Sequence, residues 1–325
     1  MKEQKKILLS VRDLKQWFPV KKWFFEKKRY VKAVDGLTFD LYEGETLGIA
    51  GESGCGKSTM IRSALRLIEP TSGTVVYEGR DITHIKQKEL KEIRKQMQIV
   101  FQDPYSSLDA QWKVGQIIEE PLIISKADMT KKQREERVKE LMSLVGLDPS
   151  YVDRYPHEFS GGQKQRIVIA SALATNPKLL MCDEAVSALD VSVRAQVLNL
   201  LEELQDDLKL TYVFVSHDLS VIEHICDRIA IMYLGKIIEI GNKSNVFNDS
   251  KHPYTKALLS AIPSISDEKG LGERIRLEGD VPSPIDPPSG CRFHTRCKDC
   301  FEKCKTEEPQ MKDIGNGHCV ACHLY

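Results

Sequence analysis

The chain of 325 residues has no excess of charge: Lys and Arg total 47, and Asp and Glu also total 47. With no strong overall field, nucleic-acid binding would need a local basic patch, so no nucleic-acid partner is expected. The chain also lacks an uninterrupted apolar run long enough to span a bilayer. Its start, Met1-Lys2-Glu3-Gln4-Lys5-Lys6, is charged and leads into no long apolar stretch. These absences predict a cytosolic chain whose membrane role, if it has one, comes through a partner. There is no internal repeat and no low-complexity tract. Cysteine is scarce before position 291, where only Cys55, Cys182 and Cys226 occur, yet six follow from Cys291 onward. In a reducing compartment such clustering points to metal more than to disulfides.

Against this background one stretch stands out. Gly51-Glu52-Ser53-Gly54-Cys55-Gly56-Lys57-Ser58-Thr59 fits G-x-x-x-x-G-K-[ST] at every fixed position. It follows an apolar strand, Glu45 to Ala50, and precedes a helix read over Met60 to Leu67. Strand, glycine loop and helix form the context this phosphate-binding motif requires. Glycines let successive N–H groups turn inward around a polyphosphate, and the helix start adds partial positive charge. Lys57 is expected to reach the outer phosphates. The Ser58 hydroxyl is expected on a magnesium ion.

Around the loop, strands and helices alternate, which predicts an α/β core. Strands are read at Ile7–Leu14, Val31–Leu41, Gly73–Gly79, Gln98–Phe101, Lys178–Asp183 and Leu210–Ser216, with a hairpin of Arg228–Leu234 and Lys236–Ile240 about Gly235. Trp17 to Tyr30 is aromatic, basic and broken by Pro19, and reads as a protruding loop. One ring there is expected to stack on a nucleotide base, with Tyr30 first and Phe25 second. A charged helix is read over Lys86–Gln96. From about 105 to 165 the texture turns helical, with segments at Val114–Ile124 and Thr130–Val145 closed by Gly146; a helical subdomain inserted in the core is expected. Helices are also read at Lys164–Leu173 and Ser192–Leu208. Beyond about 250 a proline-rich connector, Val281 to Gly290, leads to the cysteine-rich tail. The implied division is 1–250 for the nucleotide-binding part and 251–325 for an extension.

A phosphate loop needs a second magnesium anchor at a strand end, and Asp183 closes the apolar run Leu179-Leu180-Met181-Cys182. Glu184 follows directly and is placed to act as general base on the attacking water. The plainer alternative, an acidic pair charging a helix start, leaves the phosphate loop without partners. Ser160-Gly161-Gly162-Gln163 opens a long helix, so a serine, two glycines and a helix N-terminus converge a second time. Two phosphate sites in one chain suggest a sandwich in which one subunit completes the loop of another.

In this order the segments resemble the ATP-binding cassette subunit of an ABC transporter, over about residues 7 to 245. The resemblance implies a RecA-like P-loop ATPase core with an antiparallel β subdomain and an inserted helical subdomain. It carries roles over by position. Gln102 contacts magnesium and signals to a permease. Ser160 and Gly162 clasp the γ-phosphate of the opposite subunit's ATP, with Gly161 and Gln163 in the same ATP-binding turn. His217, at the strand end Val215-Ser216-His217-Asp218, bonds the γ-phosphate from its own side. Asp190, in Ser187-Ala188-Leu189-Asp190, works across the dimer interface. Two departures occur: Ala185 stands where the family has proline after the catalytic Glu, and Phe159 where it commonly has leucine. A competent site with a less rigid strand-end turn is expected.

The segments Gln102 to Leu108 and His252-Pro253-Tyr254-Thr255, and the stretch from Gly279 onward, resemble the oligopeptide/dipeptide importer subgroup, which also includes nickel importers. That subgroup implies a sister ATPase, two permease subunits and an external binding protein, at the cytoplasmic face of a membrane. It also implies a [4Fe–4S] cluster on Cys291, Cys297, Cys304 and Cys322. Spacing by itself leaves Zn2+ open, since Cys297-x-x-Cys300 and Cys319-x-x-Cys322 lie eighteen residues apart. A soluble cassette protein of translation or repair fits less well. Translation types pair two cassettes in one chain, and repair types insert a long coiled coil where only roughly a hundred residues separate Thr59 from Ser160. A regulatory iron–sulfur protein using ATP only as a ligand is the other rival; permease-stimulated hydrolysis distinguishes it.

Overall fold

Apolar runs too short for a helix and bounded by turn residues become the buried strands of the structure, a computed structural model that describes residues 6–20, 28–262 and 275–325. By contacts the chain divides into two units, 1–83 with 216–325, and 84–215.

The first unit opens with β1 (Ile7–Pro19) and β2 (Tyr30–Tyr42), paired antiparallel from Ile7↔Tyr42 to Pro19↔Tyr30. β3 (Thr46–Ala50) is buried along its whole length and feeds α1 (Lys57–Ala64) through the glycine loop. β4 (Ser72–Tyr77) pairs with β1, and β5 (Arg80–Asp81) with β4, giving a four-stranded antiparallel sheet in the order β2-β1-β4-β5. Leu8, Leu9, Val11, Leu14 and Val75 are fully buried.

The second unit runs through α2 (Gln87–Arg94), β6 (Met97–Val100), α3 (Pro104–Ser107), α4 (Val114–Ile124), α5 (Lys131–Leu144), α6 (Gly161–Leu173), β7 (Leu179–Asp183), α7 (Val191–Leu208) and β8 (Thr211–Ser216). β6, β7 and β8 pair in parallel in that order. Every residue of β7 and β8 is buried, as a parallel strand covered on both faces requires. Phe214 on β8 is fully buried. Phe214→Ala is expected to cost about 3–5 kcal/mol; urea titration checks it, and a loss below about 1 kcal/mol would count against this packing. The charged helix α5 starts on a capping box: Thr130 Oγ1 accepts from Gln133 N–H, and Gln133 Oε1 from Thr130 N–H. It stops at Gly146, whose φ of 70° is the left-handed terminator read from the sequence.

The chain then returns to the first unit with α8 (Leu219–Ile225), β9 (Arg228–Tyr233), β10 (Lys236–Asn242), α9 (Lys243–Asn248), α10 (Pro253–Leu259), α11 (Glu302–Thr306), β11 (Lys312–Asp313) and β12 (Cys319–Val320). β3 and β9 are parallel, while β9 and β10 make the expected hairpin, its corner formed by Leu234 and Gly235 at φ 43° and 78°. β12 adds to the outer side of β10, so the tail extends this sheet.

One reading needs correction. Trp17, Phe18, Pro19 and Tyr30 do not belong to a protruding loop; they sit in the β1–β2 pair. Trp17 is fixed there, its indole N–H donating to Asp35 Oδ1 at 3.0 Å and its ring taking the Lys32 ammonium. Pro19 is tolerated because it ends the strand, beyond the reach of β4. Phe25 lies outside the described residues.

Candidate active site

The glycine loop is held from within and from its neighbours. Gly56 caps α1 at φ 107°, a left-handed conformation that a side chain would resist. A Cβ there would lie 2.0 Å from Ala33 O, so β2 also excludes one. Lys57 is buried, and its ammonium donates to Gly51 O at 2.8 Å and Glu52 O at 3.1 Å. The cation is thus retained inside the ring of loop amides rather than released to solvent. Cys55 is buried beside it, and burial pushes its thiol pKa up, so it is a neutral packing group here. Ser53 and Gly54 are exposed at the mouth, and Ser58 opens the first turn of α1.

In the second unit Asp183 ends β7 and is buried. Glu184 follows in the left-handed region, at φ 51°. Such strain in a non-glycine residue needs enforcement by its surroundings. It has it: Glu184 N–H donates to Val215 O, and Glu184 O accepts from both the N–H and the hydroxyl of Ser187. The turn is therefore tied at both ends although Ala185 replaces proline. Gln102 Nε2 donates to Glu184 Oε2 at 3.0 Å, bringing together two residues that the sequence places 82 positions apart. Asp190 is exposed at the start of α7.

The second glycine turn also forms as read. Ser160 caps α6 with its side chain on Gln163 N–H, while Gln163 Oε1 accepts from Ser160 N–H. Gly162 is buried against α7, where a Cβ would lie 2.3 Å from Val193 Cγ1. Phe159 meets Tyr151 edge to face at 6.0 Å, so the larger ring has a partner of its own. His217 is exposed just past β8, and Asp218 caps α8 by accepting from Ser220 N–H. Tyr30 packs at 6.2 Å from Trp17 and keeps part of its surface in solvent.

The tail gathers some cysteines and not others. Cys291, Cys297, Cys304 and Cys322 line one small hollow with His252, Phe293, His294 and Leu324. Cys300 and Cys319 do not. Cys300 turns its thiol to Phe301 O, and Cys319 lies in β12, opposite Ile240 of β10. All nine cysteines are free thiols. Burial raises Cys297 to about 11 and Cys291 to about 12. Among the described residues no three His, Cys, Asp or Glu groups converge tightly enough to hold a single metal ion.

Sequence reasoning did not anticipate the partners of Glu52. Arg296 grips its carboxylate with both terminal guanidinium nitrogens, and the Tyr254 hydroxyl accepts from its backbone N–H. Tyr254 stands in the His252-Pro253-Tyr254-Thr255 segment that drew attention for its resemblance, but nothing local ties it to a loop 202 residues earlier.

Comparison with known proteins gives a consistent picture. The family described as ABC transporter matches residues 34–187, and the oligopeptide/dipeptide transporter C-terminal region matches residues 238–304. The oligopeptide transport ATP-binding protein AppF of Bacillus subtilis (strain 168) is 51% identical over 322 residues, covering 98% of this chain and 97% of its own length. The dipeptide transport ATP-binding protein DppF of Escherichia coli (strain K12) is 51% identical over 315 residues, covering 97% and 93%. Among solved structures, the dimeric ATP-binding cassette MJ0796 in a post-hydrolysis state with ADP and Pi aligns with a TM-score of 0.63 at 28% identity, covering 73% of this chain and 99% of that one.

Proposed function

Because the chain belongs to the ATP-binding subunits of the ABC transporter family, in its oligopeptide/dipeptide branch, and is an ATPase, we propose that it powers the import of di- and oligopeptides as one part of a multi-subunit importer. The observation that carries this reading is a complete phosphate loop in a chain that matches peptide-transport relatives along nearly its whole length. We assign 1–250 to the cassette, with 105–165 as its helical insert, and 251–325 to the extension.

In this reading Lys57 and the amides of Gly51 to Thr59 bind the β- and γ-phosphates of ATP. Ser58, Gln102 and Asp183 supply oxygens to Mg2+, a hard cation suited to such donors. Glu184 is the general base on the attacking water, and His217 bonds the γ-phosphate. Ser160, Gly161, Gly162 and Gln163 bind the ATP of a facing cassette, with Asp190 at that interface. Tyr30 lies under the adenine. ATP then joins two cassettes and hydrolysis frees them, which moves permease helices. No helix among the described residues is long and apolar enough to cross a membrane. Membrane attachment in this reading is peripheral, on the cytoplasmic face, through two permease subunits. The facing cassette is a sister ATPase, and an external binding protein delivers the peptide. Purification from membranes by a tag on this chain tests the assembly. The expected result is co-purification of two multi-span subunits and a second cassette; recovery of this chain alone overturns it.

We further propose that the tail holds a [4Fe–4S] cluster, with Zn2+ as the alternative. Four of its thiols line one hollow, and four thiolates are the donor set such a cluster takes. His252 adds a second sign. It is buried, its Nδ1 accepts from Tyr254 N–H, and burial pulls its pKa down to about 3, so the neutral ring carries its proton on Nε2. That N–H has no partner among the described residues. A buried donor at a hollow lined by thiols suits an anionic, sulfur-rich group. When bound, the cluster ties the loop-rich tail together. Anaerobically purified protein is expected to be brown, with iron and acid-labile sulfide in equal amounts. Cys304→Ser is expected to lose most of both. A colourless protein with one zinc overturns the cluster.

A further inference from the structure

The segment that carries the cysteines is tied directly to the phosphate loop. Arg296, immediately before Cys297, donates from Nη1 to Glu52 Oε2 at 2.9 Å and from Nη2 to Glu52 Oε1 at 3.2 Å. This is the two-pronged arrangement that fixes direction as well as distance. The arginine side chain is 7% exposed and the glutamate 27%, so the pair is largely withdrawn from solvent. The Tyr254 hydroxyl holds the backbone of the same residue, accepting from Glu52 N–H at 3.0 Å. Tyr254 is fully buried and packs its ring on Tyr233 and Phe293. The next carbonyl along, Glu52 O, receives both the Lys57 ammonium and the Cys55 N–H. A second tie runs in parallel. Arg292, immediately after Cys291, donates to Asp35 and to Leu234 O. Gly235, next to Leu234, donates its N–H to Cys55 O of the loop.

From this geometry we propose that Arg296, with Tyr254, is a positioning residue for ATP binding: it holds Glu52 so that the loop carbonyls present Lys57 to the phosphates, and it thereby makes ATP affinity depend on the order of the cysteine-bearing segment. The proposal rests on the reading of Gly51–Thr59 as the ATP site. In this proposal Arg296 acts indirectly: its side chain holds Glu52, and its effect passes through the loop backbone. That distinguishes it from a tail residue that merely stabilises the fold.

The test uses the full-length protein and measures equilibrium binding of ATP alongside KM and kcat. Arg296→Gln and Glu52→Gln are each expected to weaken ATP binding on the order of tenfold, with kcat within about twofold. The double variant is expected to be no worse than the weaker-binding single, since both remove the same contact. Arg296→Lys keeps the charge but not the fork, and is expected to restore part of the affinity. Tyr254→Phe removes only the hydroxyl acceptor and keeps the ring packing, so it tests the same point should Arg296→Gln fail to fold. Glu308→Gln is the control: it breaks a tail contact to Lys236 on β10 that leaves Arg296, Tyr254 and Glu52 untouched, and is expected to leave ATP affinity unchanged. If the unaltered protein fails to bind ATP, the underlying reading falls. If it binds, and Arg296→Gln and Tyr254→Phe fold yet bind equally well, or if Glu308→Gln weakens binding as much as they do, the positioning role is overturned.

Discussion

Replacing Glu184 with Gln is expected to lower kcat by about 10²- to 10⁴-fold, the range that loss of a general base produces, while ATP binding persists. The substitution changes little but proton affinity. The side chain keeps its length, and its backbone is held independently of its head group, by Val215 O on one side and Ser187 on the other. Gln102 is free to keep its hydrogen bond, since an amide oxygen accepts as a carboxylate does. What is lost is the carboxylate that takes a proton from water. With hydrolysis blocked and binding intact, ATP-bound dimers are expected to accumulate, seen as a doubled mass by light scattering in the presence of ATP. Undiminished single-turnover hydrolysis would remove Glu184 from the role of base. Loss of ATP binding together with turnover would show that the substitution had disturbed the site itself.

The second large effect lies in the loop. Gly56→Ala is expected to abolish ATP binding and to cost more than about 4 kcal/mol of stability, combining a left-handed backbone with direct overlap. At φ 107°, the new Cβ would stand 2.0 Å from Ala33 O, a backbone atom in β2 that moves only if the strand moves. Gly54 provides the comparison within the same loop. It too has a positive φ, 78°, but a Cβ there meets nothing within 4 Å. Gly54→Ala is therefore expected to cost only about 1–2 kcal/mol, the backbone part alone. Denaturant titration of the two variants, with ATP binding measured on each, separates the contributions. Equal losses at both positions would contradict the close approach at Gly56.

Much of this was legible because the signals are local. β3, β7 and β8 are apolar runs bounded by turn residues, and α4 begins at Val114 and ends at Ile124 as read. Helix starts at Ser160 and Thr130 announce themselves by capping residues three positions apart. The Trp17–Tyr30 segment misled because aromatic and basic residues around a proline look alike in a loop and in a long hairpin. The partner that decides, Asp35, sits on the other strand. β11 and β12 are two residues each, too short for any periodicity, and exist only through pairing with each other and with β10.

The amino-acid order by itself determined that a triphosphate is gripped here, since a glycine loop, its lysine and a strand-end acid pair encode their chemistry within a few neighbouring residues. Only the folded chain brought Cys291, Cys297, Cys304 and Cys322, the four thiols the resemblance implied, to one hollow, and only it showed that Arg296 clasps Glu52 across 244 positions. The reason is physical: local motifs are read through backbone geometry that consecutive residues share, whereas a contact between distant segments exists only after the sheet and its tail have packed and brought them into register.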